Sequence, residues 1–491
     1  MNIKKLISFD YQKIKNVIKI LLAATIIYFF LLYLRGKIDL QSFILIIMLF
    51  IINYSLFYIY FLSKKELNYI PIYPLIIFYY LLTYTSYFYF DYELTPIFGL
   101  NFPSENFVGN YIYPEMSILI FTISLGLIFF SFGYFFLNFL IFKKNAYWLK
   151  LEINNKIELF LIVALILFVI FYYINLNYKI INFSIISQLK FPIEIFLLAY
   201  FQVKYLLSKN IFIFLIMILM LFSLFIIEIS MGATVFPYLL LLTPIFINFY
   251  INKEVNFLIV MLIFLSAFIT HTLKYEIRKI TWILPEENKP IKEQNKILNN
   301  LNSTIEIYSN QTYDTFISND NIAGQKHRLY HSNTSLQIVL SKSPHYIDFY
   351  NGKSYDSLIF KFVPRFLYHN KKEEEWGNFW GHRYNILNKK DFNTSWNFPV
   401  LNEFYANFGV KGVIFGMFFV GFLIKTLLIF LSFNTNQPIL LSVASTIMLN
   451  FFFLESNLSL ILGSVINQLL FFSVIVISIL FLNFLIQKIS N

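Results

Sequence analysis

Residues 211–228 read IFIFLIMILMLFSLFIIE, with no charged side chain before Glu228. A run of this length is too long for a core strand. Coiled as a helix at about 1.5 Å per residue, it approaches the ~30 Å hydrocarbon thickness of a bilayer. Comparable runs recur along the chain, and twelve spans are predicted, at 17–34, 40–62, 70–90, 116–141, 157–177, 182–206, 211–228, 231–250, 256–273, 405–432, 437–454 and 460–486. The sixth is interrupted by Lys190, Pro192 and Glu194 and reads as a broken or re-entrant helix, which a membrane tolerates only where protein or water covers the backbone.

Composition points the same way. Of 491 residues, 58% are hydrophobic and 13% are charged, whereas a soluble domain carries about 25% charged residues. Mean hydropathy is +0.65. So apolar a chain lacks the polar surface to cover itself in water, and the bilayer is the solvent that accepts it. The predicted fold class is therefore all-α integral membrane: a polytopic bundle of about 12 transmembrane helices with one large external loop. There is no cysteine, so no disulfide framework and no thiolate metal site. Free use of Lys, Asn, Ile and Phe suggests an AT-rich bacterial genome.

The net charge of +11 is read as the positive-inside bias of a membrane protein rather than as a nucleic-acid surface. Lys4, Lys5, Lys13, Lys15 and Lys19 precede the first apolar run, which has no small-residue cleavage pattern after it and reads as an uncleaved span. Lys64 and Lys65, then Lys143, Lys144, Lys150 and Lys156, then Lys204, Lys209, Lys253 and Lys488 all fall on the same side of the predicted bundle. That side is expected to be cytoplasmic, with both termini on it. The third connection, Asp91 to Glu115, has no Lys or Arg and is expected to be external.

The ninth connection is the largest and is also expected outside. The chain then divides into 1–273, a bundle of about nine spans; 274–404, a large periplasmic or external loop; and 405–491, about three more spans. The loop is Asn- and charge-rich over 285–320. Over 328–400 it has amphipathic runs, Leu336 to Leu340 and Ile359 to Phe366, suited to packing on the bundle.

The rare residues collect in this loop. Lys and Arg total 38, yet only Arg35, Arg278, Arg328, Arg365 and Arg383 are arginines, and four of these lie in the loop. Arg offers a planar fork of donors that binds diphosphate oxygens bidentately and stays charged. His271, His327, His331, His345, His369 and His382 lie in the loop or in the span before it, as do Trp282, Trp376, Trp380 and Trp396. Trp faces stack on sugar rings, and they also sit at membrane interfaces. Any polar loop gathers polar residues, but this concentration exceeds the share of the chain that the loop occupies.

Single residues carry weaker signals. His327, Arg328 and His331 cluster, and Arg365 and His369 share a face at i, i+4 if helical. The alternatives are a cationic site for a lipid diphosphate and plain surface solvation. Zinc is disfavoured, because no ligand spacing of that type is present. Glu373, Glu374 and Glu375 read as a solvated turn. Glu403, at the entrance to a span, is either a general base or a carboxylate favouring the start of the next helix. Lys190 and Glu194 are costly in lipid unless paired with each other or lining a cavity. Asp91 and Glu93 form an acidic pair that a metal-dependent glycosyltransferase would use.

The stretch Arg328 to Gly421 resembles the oligosaccharide repeat unit polymerases, the O-antigen polymerase (Wzy-type) family. The resemblance rests on Arg328-Leu329, Gly352-Lys353-Ser354-Tyr355, Pro364-Arg365, Lys371, Gly377, Gly381, Thr394 and the run Glu403-Phe404-Tyr405-Ala406-Asn407-Phe408-Gly409-Val410-Lys411-Gly412, continued by Gly416 and Gly421. It covers about a fifth of the chain, and Lys371-Lys372 departs from the family's usual Lys-Pro. Gly409, Gly412 and Gly416 are expected to let the tenth span approach a neighbour closely.

The resemblance implies a GT-C-like integral-membrane glycosyltransferase in a bacterial inner (cytoplasmic) membrane. It would join repeat units carried on undecaprenyl diphosphate into surface polysaccharide, with a flippase and a chain-length regulator as partners and no nucleic acid. One unit's terminal hydroxyl would attack the anomeric carbon of the growing chain, and undecaprenyl diphosphate would leave. Arginine fits the departing diphosphate, where negative charge develops. Arg365 is the first choice, with Arg278, Arg328 and Arg383 beside it. His369, His382 and Glu403 are the alternatives for the base. Trp376, Trp380 and Tyr405 are expected to contact sugar. No cofactor and no metal is expected. The rival readings are an O-antigen ligase type, a polysaccharide flippase or transporter without chemistry, and a metal-dependent glycosyltransferase using Asp91 and Glu93.

Overall fold

The computed structural model describes residues 8–36, 38–63, 66–90, 116–140, 154–178, 184–230, 236–256, 259–261, 263, 266, 302, 319–362, 375–391, 395–396, 398–431 and 437–490. The long helices among them are α1 (Tyr11–Leu34), α2 (Leu40–Leu62), α3 (Ile72–Phe90), α4 (Met116–Leu140), α5 (Asn155–Tyr178), α6 (Ser184–Ser208), α7 (Ile211–Ser230), α8 (Phe236–Asn252), α9 (Asn319–Lys342), α10 (Trp376–Arg383), α11 (Val400–Phe430), α12 (Pro438–Leu449) and α13 (Leu458–Ser490). A two-stranded ribbon pairs β1 (Ser8–Asp10) antiparallel with β2 (Glu254–Asn256).

Eight described helices are long and apolar enough to cross a membrane: those spanning Gln12–Leu34, Leu40–Leu62, Met116–Asn138, Asn155–Asn175, Leu189–Ser208, Ile211–Ser230, Val400–Phe430 and Leu458–Leu485. The protein is an α-helical, multi-pass membrane protein. Phe236–Asn252 and Pro438–Phe452 are shorter apolar helices, and most of the span predicted at 256–273 lies outside the described residues.

Helix α3 explains itself by burial. Its sequence IYPLIIFYYLLTYTSYFYF is rich in Tyr and Thr, yet every described side chain from Ile72 to Phe88 except Phe78 is buried or partly buried. A helix enclosed by protein needs no lipid-compatible face and can spend its hydroxyls on neighbours. α7 is the opposite case, with Ile211, Phe212, Leu215, Leu219 and Phe222 exposed, as a lipid-facing helix requires.

Helix α6 is continuous from Ser184 through Pro192 to Ser208, which corrects the expectation of a broken or re-entrant sixth span. The tenth span is corrected too. Within α11, Gly409 has φ +63 and ψ −149, a region essentially reserved for glycine, and the element folds back on itself there. A Cβ at Gly412 would come within 2.2 Å of the Phe404 carbonyl oxygen, and one at Gly416 within 2.4 Å of the Phe404 ring. In a straight helix, eight residues separate groups by about 12 Å, so 400–408 must double back onto the helix that begins at 410. Gly412 and Gly416 therefore accommodate Phe404 of their own element. The close approach to a neighbour is made lower down, where a Cβ at Gly133 would meet the Phe418 carbonyl oxygen at 2.0 Å and one at Gly421 would meet the Phe130 carbonyl oxygen at 2.0 Å. α4 and α11 thus cross backbone to backbone, as small residues permit.

The bundle has two distinguishable ends. At the ribbon end, the N-terminal strand pairs with the turn after α8, and Lys253 in that turn donates to the Leu67 carbonyl in the turn after α2. Asn138 at the end of α4 donates to Glu66 at 2.7 Å, and Asn154 N–H reaches Asn483 near the end of α13 at 3.4 Å. At the opposite end, the last turns of α3 meet α9 and the start of α11, and the start of α13 meets Glu403.

Candidate functional site

α9 supplies the first wall of this opposite end. It packs along α3, with Leu336, Val339, Ser335 and Asn333 fully buried. One of its polar side chains, held by a second, and one of its carbonyls join it to α3 and α11. Asn333 donates to the Tyr84 carbonyl at 2.6 Å and accepts from Gln337 at 2.6 Å. Tyr84 donates to Asn402 at 2.8 Å, and Asn402 donates to the Ser332 carbonyl at 3.0 Å. α3, α9 and α11 are thereby joined by amides and hydroxyls inside an apolar bundle, where an unmatched polar group would cost several kcal/mol.

A strap, residues 343–355, then crosses from α9 to the folded-back start of α11. Tyr350 N–H and Asn351 N–H donate to the carbonyls of Ala406 and Asn407, each at 3.0 Å. The strap turns at Gly352 (φ +81), beyond which lies a 3-10 segment, Lys353–Phe362. A Cβ at Gly352 would lie 2.8 Å from the Phe408 ring. Asn407 is the hub of the junction. Its side-chain Oδ1 accepts from Gly352 N–H at 2.9 Å, and its side-chain amide Nδ2 donates to Ser354 Oγ at 3.0 Å and to the Glu403 carbonyl at 2.9 Å. Ser354 in turn donates to Glu403 Oε1 at 2.9 Å, while Glu403 Oε2 accepts from Leu458 N–H at 2.7 Å, at the first turn of α13. Ser354, Glu403 and Asn407 are all fully buried.

Two segments about fifty residues apart, Gly352–Tyr355 and Glu403–Gly412, are thus locked to each other. Glu403 holds the strap with one oxygen and with the other satisfies a donor at the N-terminus of α13, where a carboxylate is electrostatically favoured. The helix it favours is the last one, not the one it opens. Its two oxygens are sealed and engaged, which does not fit a base open to substrate.

α10 flanks the strap from the other side. Arg383 donates to the Asp348 carbonyl at 2.6 Å, and its guanidinium carbon lies 4.9 Å from the Tyr350 ring centroid. His382 Nε2 lies 2.8 Å from the Asp391 carbonyl, which fixes that nitrogen as a donor. Trp380 is fully buried and stacked on Phe398 at 4.7 Å, and Tyr405 is buried edge-on to Phe349 at 6.0 Å. The expectation that Trp380 and Tyr405 present faces to sugar does not fit this burial. Both are core aromatics. Trp376 is half-buried, edge-on to Tyr350 at 6.1 Å. Lys342 donates to the Tyr384 carbonyl, and burial lowers its ammonium from the ordinary lysine range.

The strap therefore brings Arg383, His382 and Trp376 on α10 beside Glu403 and Tyr405 on α11. Its outward surface carries His345, Tyr346, Asn351 and Lys353, all exposed, with exposed Asp356 just beyond it. Arg278, Arg365, His369, Asp91 and Glu93 lie outside the described residues, as does the side chain of Arg328, whose backbone is part of α9. Sequence reasoning gave no role to Asn407 or Ser354. It missed Glu228, whose carboxylate pairs with Lys190, because Glu228 reads only as the residue that ends an apolar run. Lys190 has Glu194 at 3.9 Å as its second partner.

Comparison of the chain with protein-family models, with curated proteins and with solved structures finds no match to any of them.

Proposed function

We propose that the protein is an integral-membrane glycosyltransferase that polymerises undecaprenyl-diphosphate-linked oligosaccharide repeat units into a surface polysaccharide. The observation that carries the reading is the locked junction of Gly352–Tyr355 with Glu403–Gly412. These are two of the segments on which the resemblance to repeat unit polymerases rests, and chemistry-bearing residues flank the strap between them. In this reading the strap end of the bundle faces outward from a bacterial inner membrane, where lipid-linked units are presented. Arg365 and Arg383, with Arg278 and Arg328, neutralise the leaving diphosphate. A histidine, His369 or His382, takes the proton of the attacking hydroxyl as the new glycosidic bond forms and the anomeric carbon–diphosphate bond breaks.

The test is a gene deletion in the native host, read as surface glycan on a gel, with rescue by wild type and by Arg365→Ala at equal membrane levels. The expected result is single repeat units in the deletion strain, a ladder restored by wild type, and no ladder with Arg365→Ala. Loss of the single-unit band as well would indicate a ligase or a flippase instead. An unchanged ladder in the deletion strain would overturn the polymerase reading.

A further inference from the structure

Three membrane-spanning helices place a lysine, two glutamates and a tyrosine within reach of one another. Lys190 and Glu194 lie on α6, Glu228 on the last turn of α7, and Tyr173 on α5. Glu194 is 0% exposed and Glu228 4%. Lys190 Nζ donates to Glu228 Oε1 and lies 3.9 Å from Glu194 Oε1. It also sits over the Tyr172 and Tyr173 rings at 5.3 and 5.0 Å. Among the described residues, α8 and α12, which also pack on α6, bring no charged side chain to the cluster.

The tyrosine oxygen is the informative atom. Tyr173 Oη lies 2.8 Å from Glu194 Oε1 and 3.0 Å from Glu228 Oε1. A phenol has one proton to donate, so it satisfies only one of these oxygens. Were both carboxyls ionised, the other contact would set lone pairs against lone pairs, and the cluster would carry one negative charge in excess in a low-dielectric site. Glu194 Oε2, moreover, is buried with no hydrogen-bond partner among the described residues, an untenable place for half of a carboxylate.

One additional proton removes the lone-pair conflict and the excess charge, and it makes Glu194 Oε2 the carbonyl oxygen of a neutral carboxyl, which costs far less to bury than half of a carboxylate. We propose that Glu194 is a proton-binding site within the membrane, its Oε1–H donating to Tyr173 Oη while Tyr173 donates to the Glu228 carboxylate, which is ion-paired with Lys190. The chain Glu194–Tyr173–Glu228–Lys190 is then neutral overall, and the carboxyl and phenol protons each have one donor and one acceptor. Glu228 is the ionised partner because the ammonium lies on its oxygen. This inference is independent of the glycan reading, since it rests on contacts among α5, α6 and α7 alone.

The experiment is infrared spectroscopy of the full chain in lipid nanodiscs at neutral pH, comparing wild type with Glu194→Gln. Glutamine retains a donor for Tyr173, so the variant is expected to fold. The expected result is a protonated-carboxyl C=O band in wild type that is lost in Glu194→Gln and insensitive to sodium at fixed pH. Glu228→Gln, which removes the ionised partner of Lys190, is expected to lower the melting temperature by several degrees more than Glu194→Gln does. Identical wild-type and Glu194→Gln spectra would overturn the proposal. So would a band that sodium abolishes, which would make the ligand a metal cation.

Discussion

At the residue scale, the strap junction depends on one amide. Asn407 both accepts from Gly352 N–H and donates to Ser354 and to the Glu403 carbonyl, a combination that only a carboxamide offers. Asn407→Ala strands the partly buried Gly352 N–H and removes the donor to the buried Ser354, and is expected to cost about 1–3 kcal/mol. Asn407→Asp is nearly isosteric, yet it should cost more, because a carboxylate cannot donate to Ser354 and sets a second negative charge beside Glu403. Thermal unfolding in detergent checks the order: Asp worse than Ala, both below wild type. A second residue has a pH signature. Burial holds the Lys253 ammonium down to about 8 from the ordinary 10.5. Between those values the unfolded chain holds a proton that the folded chain has released, so stability contributed at this position rises with pH. The melting temperature of wild type minus that of Lys253→Met should therefore increase from pH 7.5 to pH 10 (about the window set by the two values), and a flat difference would contradict it. Neither role was legible in the sequence. Asn407 reads there as one letter of a motif and Lys253 as one of many loop lysines, because hydrogen-bond partners fifty or more residues away leave no local trace.

At the element scale, sequence periodicity and run length give α2, α5 and α7 nearly to their ends, since lipid-facing helices are apolar all round and end where polar residues begin. The rule also gives α3, predicted at 70–90 and found at Ile72–Phe90, but it fails where the backbone turns inside an apolar run. α3 is Tyr-rich because, apart from Phe78, its described side chains from Ile72 to Phe88 are buried or partly buried. The start of α11 reads as part of one long span, although Gly409 turns it back. At that position, Ala would have to adopt φ +63 and ψ −149 and place its Cβ 2.8 Å from the Phe349 ring. Gly409→Ala is expected to destabilise by about 1–3 kcal/mol from backbone strain alone, with the Phe349 contact adding to it. Limited proteolysis checks whether the strap is released, since the strap is anchored on the carbonyls of Ala406 and Asn407 just before the turn. A variant as protected as wild type would mean the fold-back tolerates a side chain.

At the scale of the whole molecule, what sequence could not supply is how the two ends are tied. The ribbon end is closed by a buried ion pair between residues 359 apart in the chain. Both Glu66 oxygens accept from Lys425 Nζ at 2.7 Å, and the two residues are fully buried. Asn138 donates to Glu66 Oε1 at 2.7 Å, and Tyr69 and Tyr134 present their rings to the ammonium at 4.0 and 4.8 Å. The pair joins the turn after α2 to α11, the same element whose start carries the strap junction, so one element is pinned toward both of its ends. Taking two charges out of water costs nearly what their attraction returns, and the pair is therefore a device for arrangement more than for net stability. Its removal should be asymmetric. Lys425→Met alone leaves Glu66 charged and buried and is expected to cost about 3–5 kcal/mol. Glu66→Met should cost a similar amount by leaving the ammonium. The double substitution restores neutrality with side chains of similar volume and should recover most of either loss. A double-mutant cycle on unfolding free energy measures this. Additive losses would show that the charges are not coupled.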